Sequence, residues 1–582
     1  VTNTADLISC NTAGVTLEFS NITVEGIGTD VRISGHLVAA AKANVKLGNN
    51  VVLCKSYTST TGAGVTCANL TMTDNAKITL CRVATPAGQA GGAGATVSGL
   101  LKMSGISEIC FNSNVCEYGS SVASQRIAGG VYCGSFEMED NASIHNNRSQ
   151  ARTYLYGISF GGAGLHVRGA TTSIMRGNAK IHNNDAYYQR GGGICCADGT
   201  IVMLDSSSVV SNSSIPENLN VVSAQAMWAS ALIMSNNATV AYNGLKTTAV
   251  RYDSGDGAVN VGKLYMHDDA LIVSNVARTI GGAVVRNGGG MYDRARIAYN
   301  TITWKREYGC SGGLLVSGGE FSMNDDTVIE GHPESPYLYG GVCVNNTGRF
   351  ILNSGIIRNN SRGILLSAWP SGGYVQINGG QIVSNTAGGI MNGSRAYTGK
   401  YASGGVLEVN GGIIADNGGP AFMDCTSCFC TNYFYGGLIK DNTFGGYFSF
   451  YGCKNFIGET PCFEDPIKLL YTNVTFYIDG RMRSGAQIPI IFKALNSKSK
   501  EIESLTDANS YGLDMKQDGS MVPQIVALPS GRITNAARYS KYFSVANEFS
   551  DPTVERYMND AGEGRMGLSQ YRYSGSSLFM VY

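Results

Sequence analysis

Short runs in which apolar and polar positions alternate fill most of this chain, as in "GLLVS" (313–317), "EFSMN" (320–324) and "RFILNSG" (349–355). Alternation with period two, carried by Val, Ile, Thr and Tyr, is the pattern of strands with one face buried. No stretch of useful length shows the 3.6-residue period of an amphipathic helix, so the chain is expected to be all-β.

The punctuation between the runs is itself periodic. Glycine pairs begin at Gly129, Gly161, Gly191, Gly281, Gly312, Gly340, Gly372, Gly404 and Gly436, most of them followed by an apolar residue, as in "GGVYC" and "GGLLV". A second phrase places Ile or Val shortly before a polar residue and an Asn, ending at Asn147, Asn184, Asn212, Asn243, Asn275, Asn300, Asn359, Asn385, Asn417 and Asn442. Units of about 30 residues that cannot bury an apolar face alone must stack as a solenoid. Three short strands and their turns fill one coil of a parallel β-helix. The glycines are expected at corners, where the backbone needs positive φ or a close approach to the next coil. The asparagines are expected to take left-handed positions and to hydrogen-bond in ladders between coils.

These patterns predict a right-handed parallel β-helix followed by a smaller β-rich C-terminal module. Residues 1–125 ("GVTLEFSNITVEG", "NVKLGNNVVLC") read as irregular early coils and 126–462 as the regular glycine- and asparagine-punctuated β-helix. Residues 463–582 read as a capping or assembly module, because 464–582 hold 9 of the 76 Gly but 26 of the 86 charged residues. "KSKEIESL" reads there as a short helix and "SSLFMVY" as a strand seated in a groove.

Composition narrows the function. Balanced charge, 43 basic against 43 acidic residues, offers no field for nucleic acid. No apolar run is long enough for a membrane span. Because the chain starts at Val1 rather than Met, it reads as a processed product. The sixteen cysteines Cys10, Cys54, Cys67, Cys81, Cys110, Cys116, Cys133, Cys195, Cys196, Cys310, Cys343, Cys425, Cys428, Cys430, Cys453 and Cys462 are disulfide candidates, which points to an extracellular or cell-surface setting. "CTSCFC" (425–430) is expected to clamp a loop by disulfides with Cys453 and Cys462. Cys195 and Cys196 should face opposite ways and take different partners. Sequons at Asn21, Asn69, Asn141, Asn147, Asn212, Asn237, Asn345, Asn359, Asn392 and Asn473 are candidate N-glycosylation sites.

No catalytic constellation emerges, so the chain reads as no enzyme, with no catalytic residues, no metal site and no cofactor. Asp268–Asp269, Asp325–Asp326 and Asp256 do not form the paired carboxylates of glycoside chemistry, because adjacent acids on a strand face opposite ways. "GISFG" around Ser159 has the letters of a nucleophile elbow but abuts a coil corner. His145 and His182, in the matching phrases "SIHNN" and "KIHNN", should stack in neighbouring coils as a solvent-facing pair, and two ligands do not make a structural metal site.

With glycine pairs alternating with "FSMN" (321–324) and "FILN" (350–353), residues 129–445 resemble the repeats of chlamydial polymorphic outer-membrane proteins and of adhesin-like parallel β-helix surface proteins. The resemblance implies a secreted passenger at the cell surface. Residues 463–582 lack the repeated ten-residue alternation of an outer-membrane barrel. The expected function is therefore an extracellular structural protein, a self-assembling subunit of a cell-surface filament or layer whose main partner is itself. The alternatives are an adhesin for a receptor or glycan and a polysaccharide lyase or hydrolase.

Overall fold

In the computed structural model, the structure describes residues 6–26, 35–85, 90–116, 126–150, 160–187, 191–215, 224–244, 257–303, 311–332, 340–366, 372–393, 403–424, 429–449, 453–469, 476–492, 524–530, 533–545, 554–560 and 565–572. The expected features at Asp256, Ser159, Cys310, Cys425, Cys428, Asn473, "KSKEIESL" and "SSLFMVY" lie outside them. The fold is a parallel β-helix, as the alternation predicts. The chain divides into two compact units, the first holding residues 1–305, 311–315 and 326–333, the second 306–310, 316–325 and 334–582. No sequence feature announced that division.

In the first unit a coil runs through three faces. Strands Val131–Cys133 and Ser135–Met138 form the first face, Ser143–His145 the second and Arg148–Gln150 the third. The next coil repeats them in parallel register, with Val131 opposite Leu165, Ile144 opposite Ile181 and Ser149 opposite Ala186. The same register links Glu108 to Ser143, so parallel pairing runs without a break past residue 125.

Register stacks like on like. On the second face an aliphatic row runs Val24, Leu53, Ile78, Ile109, Ile144, Ile181, Val209, Val240, Ile272, Ile297 and Ile329. On the first face eight buried methionines stack from Met72 through Met103, Met138, Met175, Met203, Met234 and Met266 to Met291. Unbranched and polarizable, Met tolerates coils of unequal length at this position.

Two corner devices hold the stack. Asn112, Asn147, Asn184, Asn212, Asn243, Asn275 and Asn300 form a buried ladder in which each backbone N–H and each side-chain Nδ2 donates to Oδ1 of the next, at 2.9–3.1 Å. Cys81 N–H donates into its start and His332 Nδ1 accepts from Asn300 N–H at 3.1 Å. The left-handed residue is the one before each rung, Phe111, Asn146, Asn183, Ser211, Tyr242, Ser274 and Tyr299, and Leu80 takes the same place before Cys81, all with φ between 52° and 57°. Asparagine's two expected roles thus fall to different positions.

The glycine pairs serve close approach. Gly130, Gly164 and Gly282 are absent from the residues with positive φ. A Cβ on Gly164 would lie 2.8 Å from Gly193 O and 2.9 Å from Asn184 Nδ2. At Gly130 and Gly282 it is the second glycine of the pair that clears space for the ladder, beside Asn147 Nδ2 and Asn300 Nδ2, whereas Gly164 follows the pair Gly161–Gly162 after Ala163.

The second unit repeats the design through Ile357, Ile382, Ile414, Ile439 and Phe463 on its second face. Its ladder runs Asn360, Asn385, Asn417 and Asn442 and ends on Asp465. The rung is Asn360, whereas Asn359 has φ 54° and takes the corner. Parallel pairing continues beyond residue 463, through Phe476–Ile478 with Gln524–Pro529 and Ile488–Phe492 with Phe543–Val545. There the pattern changes. Met566–Arg572 pairs antiparallel with both Gln524–Pro529 and Val554–Asp560, ending the parallel succession in a small β-rich segment.

Candidate functional site

Flanking the aliphatic row of the second face, the outward positions form two rows. One runs Lys77, Glu108, Ser143, Lys180, and the other runs Cys54, Thr79, Cys110, His145, His182. Residues two apart on a strand share a face and registered residues sit one coil apart, so Glu108, Cys110 and His145 converge. One ligand atom from each lies within 4.8 Å of the other two. Sequence reading paired His145 with His182 and missed Glu108 and Cys110, which sit 35 and more residues upstream. The pairing itself holds, with the two rings stacked at 4.8 Å and 5°.

Each group is held in place. Glu108 divides its oxygens, Oε2 accepting from Lys77 Nζ at 2.7 Å and Oε1 facing His145 Nε2 at 3.7 Å. Asn146 Nδ2 meets His145 Nδ1 at 2.9 Å, Asn183 repeats that contact at His182, and the Phe111 ring packs edge-on against His145. The Cys110 thiol donates to Thr79 Oγ1.

Burial pushes the Cys110 thiol up, so it stays protonated at neutral pH and is a poor nucleophile. Burial opposes ionisation of Glu108 as well, but the hydrogen bond and charge of Lys77, with His145, outweigh it and hold the carboxyl below its ordinary value. Burial lowers His145, and it takes His182, beside the His145 and Lys180 charges, down to about 4. A neutral imidazole, a carboxylate and a thiol are donors to a metal, not a hydrolytic pair.

Around the corner lies a groove of about 440 Å³, lined by Leu80, Cys81, Arg82, Phe111, Ser113, Val115, Arg148 and Gln150. Phe111 is 51% exposed, and Arg82 and Arg148 stack over Tyr57 and Tyr187.

The other sequence candidates fall elsewhere. Asp268 and Asp269 lie in a turn, not on a strand. Asp268, at φ 54°, accepts from Asn236 N–H at 2.9 Å, while Asp269 pairs with Arg294 at 2.6 Å. Asp325 takes the same left-handed conformation. Among the described cysteines one bridge forms, Cys430–Cys453, between registered coils of the second unit. Cys54, Cys67, Cys81, Cys110, Cys133 and Cys196 are buried thiols, and Cys10 and Cys462 half-buried ones. The broader expectation of pairing fails at these eight because stacking gives them other neighbours, such as Thr79 beside Cys54 and Cys110, and Ala40 and Val97 beside Cys67. Cys116, Cys195 and Cys343 are buried.

Three sequons are also corrected. Asn147, Asn212 and Asn392 are buried in amide ladders and leave no room for a glycan. Asn21, Asn69, Asn141, Asn237 and Asn359 are exposed and Asn345 half-buried. The second group of close donors, Asp424 with Cys430 and Cys453, has both sulfurs in the bridge. No described helix is long and apolar enough to cross a membrane.

Compared with models of protein families, with curated proteins and with solved structures, the chain matches none.

Proposed function

We propose that this protein is an extracellular structural protein, a self-assembling subunit of a cell-surface filament or layer. One observation carries the reading, the like-on-like register by which each coil presents the same rows as the one before it, as in the aliphatic row from Val24 to Ile329. A wall that repeats its outward positions coil after coil, with paired charges such as Lys46–Glu18, Lys77–Glu108 and Arg294–Asp269, offers a second copy a matching row along its length. The cell-surface setting rests on the Cys430–Cys453 bridge and on the repeat resemblance of residues 129–445.

Negative-stain microscopy and light scattering test this. Regular polymers are expected from the intact chain. An intact chain that stays monomeric at high concentration overturns the reading. The groove beside exposed Phe111 favours a second reading, an adhesin that stacks a sugar on that ring between Arg82 and Arg148. Isolated particles that bind glycan and lose it in Phe111→Ala would establish it instead.

A further inference from the structure

We propose that Glu108, Cys110 and His145 form a binding site for a divalent transition ion of the zinc type, set in the outer wall of the second face.

The donor set selects the ion. A thiolate and an imidazole favour zinc-like ions over calcium or magnesium, which take oxygen ligands. Thiolate and carboxylate together carry the charge a divalent ion balances. The distances need little change. Bonds of roughly 2.0–2.3 Å in a tetrahedron place ligand atoms roughly 3.5 Å apart. Glu108 Oε1 and His145 Nε2 already stand 3.7 Å apart, and all three ligand atoms lie within 4.8 Å of one another. Closing onto an ion therefore takes side-chain rotation of about an ångström and no movement of the paired backbone. Three protein ligands leave one position for water.

The surroundings suit the bound state. Lys77 keeps Glu108 Oε2, so the carboxylate binds through Oε1 alone. His145 must carry its proton on Nδ1 when Nε2 binds metal, and Asn146 accepts it once its amide turns its oxygen to that nitrogen. Thr79 Oγ1 now accepts from the thiol and would donate to the thiolate after the thiol proton leaves to solvent. His182 covers one flank by stacking on His145.

Cobalt is the probe, because Co²⁺ bound to thiolate absorbs by charge transfer. The full chain, stripped with chelator and titrated with Co²⁺, should take up one equivalent with that band and tetrahedral ligand-field absorption, and one equivalent of Zn²⁺ should displace it. Cys110→Ser should remove the band, while Cys81→Ser, a neighbouring buried thiol, should leave it. Glu108→Gln and His145→Ala alter partly exposed groups and should each weaken Co²⁺ at least tenfold. They keep the test decisive should Cys110→Ser fail to fold. An intact chain without the band, a band that survives in Cys110→Ser, or affinity unchanged in both Glu108→Gln and His145→Ala overturns the site.

Discussion

The backbone N–H and the side-chain Nδ2 of Asn147 both donate to a single atom, Oδ1 of Asn184, at 3.0 Å, across 37 residues of sequence. Asn184 then donates in the same way to Asn212. A rung cannot be removed without stranding its neighbours. Replacing Asn184 with Leu leaves the buried Asn147 N–H without an acceptor, at about 1–3 kcal/mol for each group so stranded. A local loss of about 3 kcal/mol is expected, read by amide exchange in coils 147–212, since long stacks do not unfold in two states. Asn178→Leu, which removes only the exposed bond from Asn178 Nδ2 to Asn141 Oδ1 at 3.3 Å, should cost under about 0.5 kcal/mol. Equal effects would show that burial of the ladder is irrelevant.

Gly164→Ala should destabilise by about 1–3 kcal/mol, because its Cβ meets Gly193 O and Asn184 Nδ2 inside contact distance. Gly48→Ala, whose nearest neighbour is 3.6 Å away, should be neutral or slightly stabilising. Thermal unfolding of the two variants side by side decides it, and similar midpoints would reject the role of close approach.

His332 gives the first unit an acid-sensitive terminus to its ladder. Burial pushes its pKa down to about 4. In the unfolded chain it titrates near its ordinary value of about 6.5. Below that pH the unfolded state takes up a proton that the folded state refuses. Stability should therefore fall as pH drops from about 6.5 to about 4 and flatten below, by on the order of 3 kcal/mol from this residue. His166, which burial takes to about 3, adds to the same trend. His332→Asn supplies an amide where the ladder ends and should narrow the gap in melting temperature between pH 7 and pH 4.5. An unchanged gap would place the acid sensitivity elsewhere.

Cys430–Cys453 closes a loop with sequence separation 23, tying two registered strands of the second unit. Reduction, or Cys453→Ser, should cost about 3 kcal/mol in that unit if loop entropy dominates. In the absence of reductant, alkylation after unfolding should label Cys54, Cys67, Cys81, Cys110, Cys133 and Cys196 but spare Cys430 and Cys453. Protection of those six would contradict their state as thiols.

The architecture is largely legible in the sequence because its devices are chemical and repeated. A small residue must sit beneath each amide rung, glycine at most of them and Ala226 and Ala258 at two, and Asn donates and accepts along a stack with the same side chain. The register within a coil is less legible. In "RNNS" either Asn359 or Asn360 satisfies the pattern, and the choice depends on Ile357 facing inward. The left-handed corner is hidden further, since Leu80, Phe111, Tyr242 and Tyr299 occupy it as readily as Asn183. The metal cluster is least legible. Glu108 and Cys110 meet His145 only once the intervening residues have made a full turn, and coil length varies from rung to rung.

That variation has an evolutionary reading. Successive rungs of the first unit's ladder are separated by 35, 37, 28, 31, 32 and 25 residues, yet every rung makes the same bonds. The amide stack counts turns and ignores what each turn contains. A duplicated or deleted coil that keeps one Asn, one small residue beneath it and one inward aliphatic residue therefore leaves no orphaned group at the seam. Length is the cheapest property for descendants of this gene to change, and related chains should differ by whole coils.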